Sequence, residues 1–135
     1  MNNRDLGLFL VRLALAIVFI AHGWAKIMDI PGATMFLEKL NIPMAGIAVY
    51  VVTAVEFLGG IAMLLGVLTR WVGLLMAIDM IVAIVVAKLQ KGFMWPMQGK
   101  YELELMLLLC SLAIAFTEAG AYSVMNFFKK DDLQI

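Results

Sequence analysis

Histidine and cysteine are nearly absent from this chain: 135 residues hold one of each, His22 and Cys110. A single cysteine excludes an intramolecular disulfide, a CxxC thiol relay and a zinc ribbon. A single histidine excludes a bis-histidine haem within one chain. No cluster has metal-ligand spacing, and neither a phosphate loop nor a dinucleotide fingerprint occurs, so no metal, haem or nucleotide site is expected. Charge is also scarce. Ten Lys and Arg cancel ten Asp and Glu, and charged residues are 15% of the chain. A neutral chain lacks the basic footprint of nucleic-acid binding, so that class of partner is not expected. Proline occurs only at Pro31, Pro43 and Pro96, all in segments that read as loops.

What fills the chain instead is apolar. Hydrophobic residues make up 64%, and the mean hydropathy is +1.00. Soluble domains are roughly 45–50% apolar, so a membrane protein in contact with the lipid bilayer is the default reading. Four runs are candidates for spans: about residues 6–28, 44–68, 71–89 and 100–117. Arg4 and the small Ala21 and Gly23 are weak marks of a signal peptide. The first run is too long for one and Arg12 interrupts it, so an uncleaved first span is the better reading. The expected fold is all-α: a single domain over residues 1–135, built as a four-helix transmembrane bundle.

Between the first two spans, Asp29-Ile30-Pro31 suits a helix start. Ala33, Phe36, Leu37 and Leu40 then recur at helical spacing. This predicts a short amphipathic helix at the membrane interface, closed by Asn41-Ile42-Pro43; a connecting loop packed on the bundle end is the plainer alternative. The turn at Gly66 to Arg70 is tight enough to make spans two and three antiparallel neighbours. Phe93 and Trp95 suit an interfacial loop. Lys88 can reach the headgroups from a span end, and Gly120 follows the last span. Four spans put both termini on one side. The basic residues on the two sides nearly balance, with a lean to cytoplasmic termini through Arg4, Arg70, Lys129 and Lys130.

The first span carries Arg12, His22 and Lys26. A charge in hydrocarbon costs ~2.5–3.5 kcal/mol on insertion scales and needs a partner or a wet cavity. Arg12 and Lys26 lie about 40° apart around the helix and His22 about 40° beyond Lys26, so all three fit one inward face. Span two offers Glu56 and span three Asp79; Tyr101, Glu102 and Glu104 open span four. Depth counted from the span ends predicts two levels: Arg12 meeting Asp79 and Glu56, and His22 with Lys26 meeting Glu102 or Glu104. The two glutamates are about 200° apart, so one faces in, and Glu102 is the expected one. Such a set reads as a polar ligand pocket or proton route by default. Ion pairs that only fix helix register are the alternative. Gly59-Gly60 reads as close helix packing rather than room for a flat ligand, and most of the eleven methionines as core filler.

These residues, in this order, resemble the DoxX family of small bacterial membrane proteins. The matching pieces are VRLALAIVFIAHGWAKI in span one, EFLGGIAMLLGVLTR in span two and its turn, GKYELELMLLL opening span four, and Pro43. The resemblance implies a four-helix bundle similar to the small subunit of thiosulfate:quinone oxidoreductase, or to proteins of quinone and catechol stress. It implies a quinone-interacting membrane subunit in the bacterial inner membrane, with quinone as ligand. Electrons would come from a soluble redox partner, and a homo-oligomer is compatible. Arg12 or His22 would polarise a carbonyl; Lys26, Glu56, Asp79, Tyr101 and Glu102 would complete the binding and proton-handling set. A non-catalytic scaffold and a small transporter remain alternatives; the second lacks an inverted repeat and a proline-broken helix. The chain departs from the family at its end, where Ala121 and Asn126 stand in place of Gly and Asp.

Overall fold

The protein is described by a computed structural model over residues 2–88 and 101–131, the side chains of residues 88, 130 and 131 excepted. Its elements are α1 (Asn3–Met28), α2 (Ile30–Lys39), α3 (Ala45–Leu65), α4 (Thr69–Val82), α5 (Glu102–Ala115) and α6 (Val124–Asp131). α4 continues as a π-helical stretch, Ala83–Lys88. The expected interfacial loop with Phe93 and Trp95, along with Lys91, Pro96, Gly99 and Lys100, lies outside the described residues, as do the reaches of Lys88 and Lys130.

Local chemistry sets the helix ends. Asn2 caps α1, its Oδ1 accepting from the Arg4 N–H at 3.2 Å. Asp29 does the same for α2, accepting from the Gly32 N–H at 3.0 Å with Pro31 in the first turn. Three helices are long and apolar enough to cross a membrane: Asn3–Met28, Ala45–Leu65 and the continuous Thr69–Ala87. The fourth, α5, has 14 residues in the described part, about 21 Å of helix. α1 packs along α3, α3 against α4, α4 against α5, and α5 closes on α1. This is the all-α membrane bundle expected. Leu15, Phe19, Met63, Met76, Met80, Leu107 and Ile114 form its core, and apolar side chains such as Ile17, Leu58, Leu75, Ile78 and Leu109 cover its outside, where lipid is the neighbour.

Small residues set how closely the helices approach. A Cβ on Gly23 would stand 2.6 Å from the Phe57 nitrogen, one on Gly60 2.7 Å from Ile20 Cγ1, and one on Gly73 2.7 Å from the Ser111 carbonyl oxygen. Backbones in lipid associate through such sites. Gly23 opposite Phe57 and Gly60 opposite Ile20 also fix the register of α1 on α3. By that register, the end of α1 is level with about residue 52, and α3 continues beyond it. α2 covers this overhang, with Leu37 against Ala45 and Val49. The amphipathic helix expected over this stretch therefore exists, docked on the first turns of α3; Phe36 from its stripe stays 54% exposed.

The opposite end is tied by Arg12, which is 1% exposed. α3 stops at Gly66, whose φ of +73° suits glycine; its N–H donates to Met63 O at 3.2 Å and that of Val67 to Ala62 O at 2.9 Å. Arg12 donates from Nε to Met63 O at 3.0 Å and from Nη2 to Leu64 O at 3.0 Å. Nη1 donates to Ala119 O at 2.7 Å and to Tyr122 O at 3.0 Å, both in the α5–α6 connection. A cation at a helix C-terminus also meets the negative end of the helix dipole. Arg12 therefore does not pair with Asp79 or Glu56, as depth alone predicted. Asp5 adds a second tie, accepting from the Ala121 N–H at 3.0 Å. Past Gly120 the chain enters α6, where Ser123 Oγ accepts from the Asn126 N–H at 3.1 Å.

Arg12→Met would remove a donor from four carbonyls, of which Met63 O alone keeps another among the described residues, the Gly66 N–H. It is expected to destabilise by about 3–5 kcal/mol, the scale for breaking a buried charged network, read as a lower melting temperature in detergent. Arg12→Lys, with three donors and no planar fork, should recover only part of the loss; an unchanged melting temperature in both variants would refute the tie. Gly23→Leu should push α1 off α3 and lower the melting temperature independently.

Candidate functional site

The register that slides α3 past α1 brings Lys26 level with Glu56. Lys26 Nζ donates to Glu56 Oε2 at 2.5 Å, with the side chains 23% and 6% exposed. Glu56 sits in the middle of α3 and Lys26 in the last turn of α1. A lysine stem can lie along apolar surface while its ammonium reaches a buried partner. Asp79, half-buried on α4, is within electrostatic reach of both Glu56 and Lys26. Its Oδ2 is enclosed and has no hydrogen-bond partner among the described residues. Asp79 and Glu56 were expected together, and they are; their cation is Lys26 and not Arg12. Arg12 lies 14 residues earlier on α1, about 21 Å away along the helix.

The ion pair forms part of the wall of a cavity of about 280 Å³. α1 contributes Phe19, His22 and Lys26; α3 contributes Glu56; α2 contributes Phe36. Met80 on α4 and Ala83 and Ala87 on the π-helical stretch face it, as do Leu103, Glu104 and Leu107 on α5. π-helical turns inside α-helices recur at functional sites, and here the irregular turns carry small residues that leave the space open. His22 lines the cavity but is exposed on its other side, so it stands at the rim.

The glutamate of α5 that reaches the cavity is Glu104; Glu102 was the expected one. The two point about 200° apart, and Leu103, Glu104 and Leu107 form the face turned to α1 and α4. Glu102 and Tyr101 are half-buried at the start of α5 and are not in the cavity wall. The enclosed Glu102 Oε2 has no hydrogen-bond partner among the described residues. Helical angles showed that only one glutamate could face inward; which one depends on how α5 is rotated, and no sequence signal fixed that. His22 and Lys26 thus share a cavity with one of the α5 glutamates, and the carboxylate that bonds Lys26 is Glu56. Among the described residues no group of His, Cys, Asp and Glu could hold a metal ion, and Cys110 is a free, half-buried thiol. Chemically the site offers one bound cation, clustered carboxyls, an imidazole at the rim and apolar walls.

Comparison with known proteins places this arrangement. The DoxX family model matches residues 7–89, which hold Arg12, His22, Lys26, Glu56 and Asp79. "Putative oxidoreductase CatD" of Bacillus subtilis is 34% identical over 84% of this chain and 80% of its own length. "Inner membrane protein YqjF" of Escherichia coli is 37% identical over 54% of this chain and 55% of its own. An uncharacterized membrane protein of Mycobacterium tuberculosis is 32% identical over 84% of this chain and 76% of its own. No solved structure matches the chain. The chain belongs to the DoxX family.

Proposed function

We propose that the protein is a quinone-interacting subunit of a membrane oxidoreductase or quinone-detoxifying system in the bacterial inner membrane. The observation that carries this reading is the Lys26–Glu56 ion pair in the wall of an intramembrane cavity. Ionisable groups at membrane depth are costly and by default mark function. A volume of about 280 Å³ falls just below the roughly 300–1,000 Å³ of pockets for drug-sized ligands, so it suits one ring with its carbonyls. Phe19, Met80 and Leu107 offer apolar walls, and His22 and Lys26, one turn apart on α1, offer donors. Asp79 Oδ2, enclosed and without a hydrogen-bond partner among the described residues, lies within electrostatic reach of Glu56 and would exchange a proton with it.

A bound quinone would supply two-electron, two-proton redox chemistry, the electrons arriving through a partner protein. The residues of this chain have the remaining tasks. Lys26 Nζ would donate to a carbonyl oxygen, with Glu56 holding the ammonium in place. Asp79 and Glu104 would pass protons toward it. The name of the Bacillus relative supports an oxidoreductase reading. The termini would face the cytoplasm, as Arg4, Arg70 and Lys129 gather at their end of the bundle.

One observation favours a second reading. Arg12 is a buried cation whose every hydrogen bond is a structural tie, and Lys26–Glu56 can be the same kind of latch. Titration of the purified protein with a short-chain ubiquinone analogue separates the two. Saturable binding is expected, weakened about tenfold or more by Glu56→Gln, the size of one charge-assisted hydrogen bond. His22→Ala should weaken it less. If Glu56→Gln and Lys26→Met lower only the melting temperature, or the wild type binds no quinone, the latch reading replaces the first. A green fluorescent protein fused to the C-terminus should fluoresce, and alkaline phosphatase at the same place should be inactive.

A further inference from the structure

At the terminal end of the bundle, α6 and the α5–α6 connection meet the α3–α4 turn, where Met125 Sδ accepts from the Leu68 N–H at 3.4 Å, and with it they bound a groove of about 960 Å³. It is separate from the ion-pair cavity and shares no lining residue with it. We propose that this groove binds a phosphate group, which in the membrane is that of an anionic phospholipid headgroup.

Three independent features converge there. α4 begins in the groove with no side-chain cap: its N-cap is Leu68, left-handed at φ +49°. The first-turn N–H groups of Thr69, Arg70 and Trp71 find no acceptor among the described residues. α1 and α2 are closed by Asn2 and Asp29, while α3 and α5, like α4, have no side-chain cap. Uncapped N–H groups together with the positive end of the helix dipole favour an anion. The Thr69 side chain is 6% exposed, lines the groove and makes no hydrogen bond among the described residues. Its hydroxyl is not among the enclosed polar atoms and opens to the groove, where a phosphate oxygen at the mouth of α4 would accept from it.

The third feature is charge. Arg4, Arg70 and Lys129 line the groove, and none makes an ion pair among the described residues. Asp5 and Glu118 oppose them, but Asp5 Oδ1 is already engaged by the Ala121 N–H. Arg12 adds positive charge from below, since a Cβ on Gly66 would lie 2.7 Å from its Nη2. Position selects the source of the phosphate. Trp71, 64% exposed, belongs to the groove, and Phe127 and Phe128 are exposed on α6. Aromatic rings settle at the headgroup level, where lipid phosphates lie and cytoplasmic leaflets are anionic.

Native mass spectrometry of the intact protein in detergent, offered phosphatidylglycerol and phosphatidylcholine in equal amounts, tests this. Phosphatidylglycerol should be retained about tenfold or more over phosphatidylcholine. Arg70→Gln and Lys129→Gln, both on exposed side chains, should each erase most of that preference without moving the melting temperature. Thr69→Val should weaken retention of both lipids. Inorganic phosphate that competes the lipid off would assign the site to the free anion, and persistence of the lipid against it to the headgroup; both support a phosphate site. Equal retention of the two lipids, or a preference unchanged in both charge variants, overturns it.

Discussion

A single guanidinium holds the terminal end of this bundle together. Arg12, on α1, binds the last carbonyls of α3 and two carbonyls of the segment that leads from α5 to α6. In lipid an unmet backbone carbonyl has no water to turn to. A helix end that stays buried inside the bundle must therefore be closed from within the protein. An arginine suits the task because its donors are rigidly spread and it stays charged. One side chain then fixes the ends of three segments relative to α1.

The register that results has consequences at the other end. With Gly66 seated over Arg12, and Gly60 and Gly23 against Ile20 and Phe57, α3 cannot slide along α1. Lys26 meets Glu56 because of that register, and α3 overhangs far enough to need α2 as a cover. The cavity beside the ion pair lies where α1, α2, α3, the π-helical end of α4 and α5 meet. The site is thus a product of end-to-end alignment, set by ties at the opposite end of the same helices. Arginine ties to backbone carbonyls mark one end of the bundle, and a buried ion pair beside a cavity marks the other.

Much of this was legible in the residues. Apolar runs of spanning length, the Asp29-Ile30-Pro31 helix start and the Gly66 turn are local signals, and each element appears where they put it. The buried charges could be recognised because lipid makes them conspicuous. Their pairing could not. Depth counted from apparent span ends assumed helices of matched length, and α3 overhangs α1. Arg12 was assigned carboxylate partners because carboxylates are visible in a sequence. Backbone carbonyls at a helix end also accept from a cation, aided by the negative end of the helix dipole, and leave no mark in the letters. The choice of Glu104 over Glu102 required the rotation of α5, which an almost uniformly apolar helix does not encode.

The sequence by itself determined an all-helical membrane chain, the order of its spans with the short helix between the first two, and the short list of side chains that cannot face lipid. Those follow from hydropathy, capping and turn chemistry, which act over a few residues. Only the tertiary structure decided which of those side chains meet: Arg12 with carbonyls, Lys26 with Glu56, Glu104 with the cavity. Contacts between helices depend on register and rotation, and these are set by backbone approach at glycines and by hydrogen bonds to backbone groups that every sequence has in common.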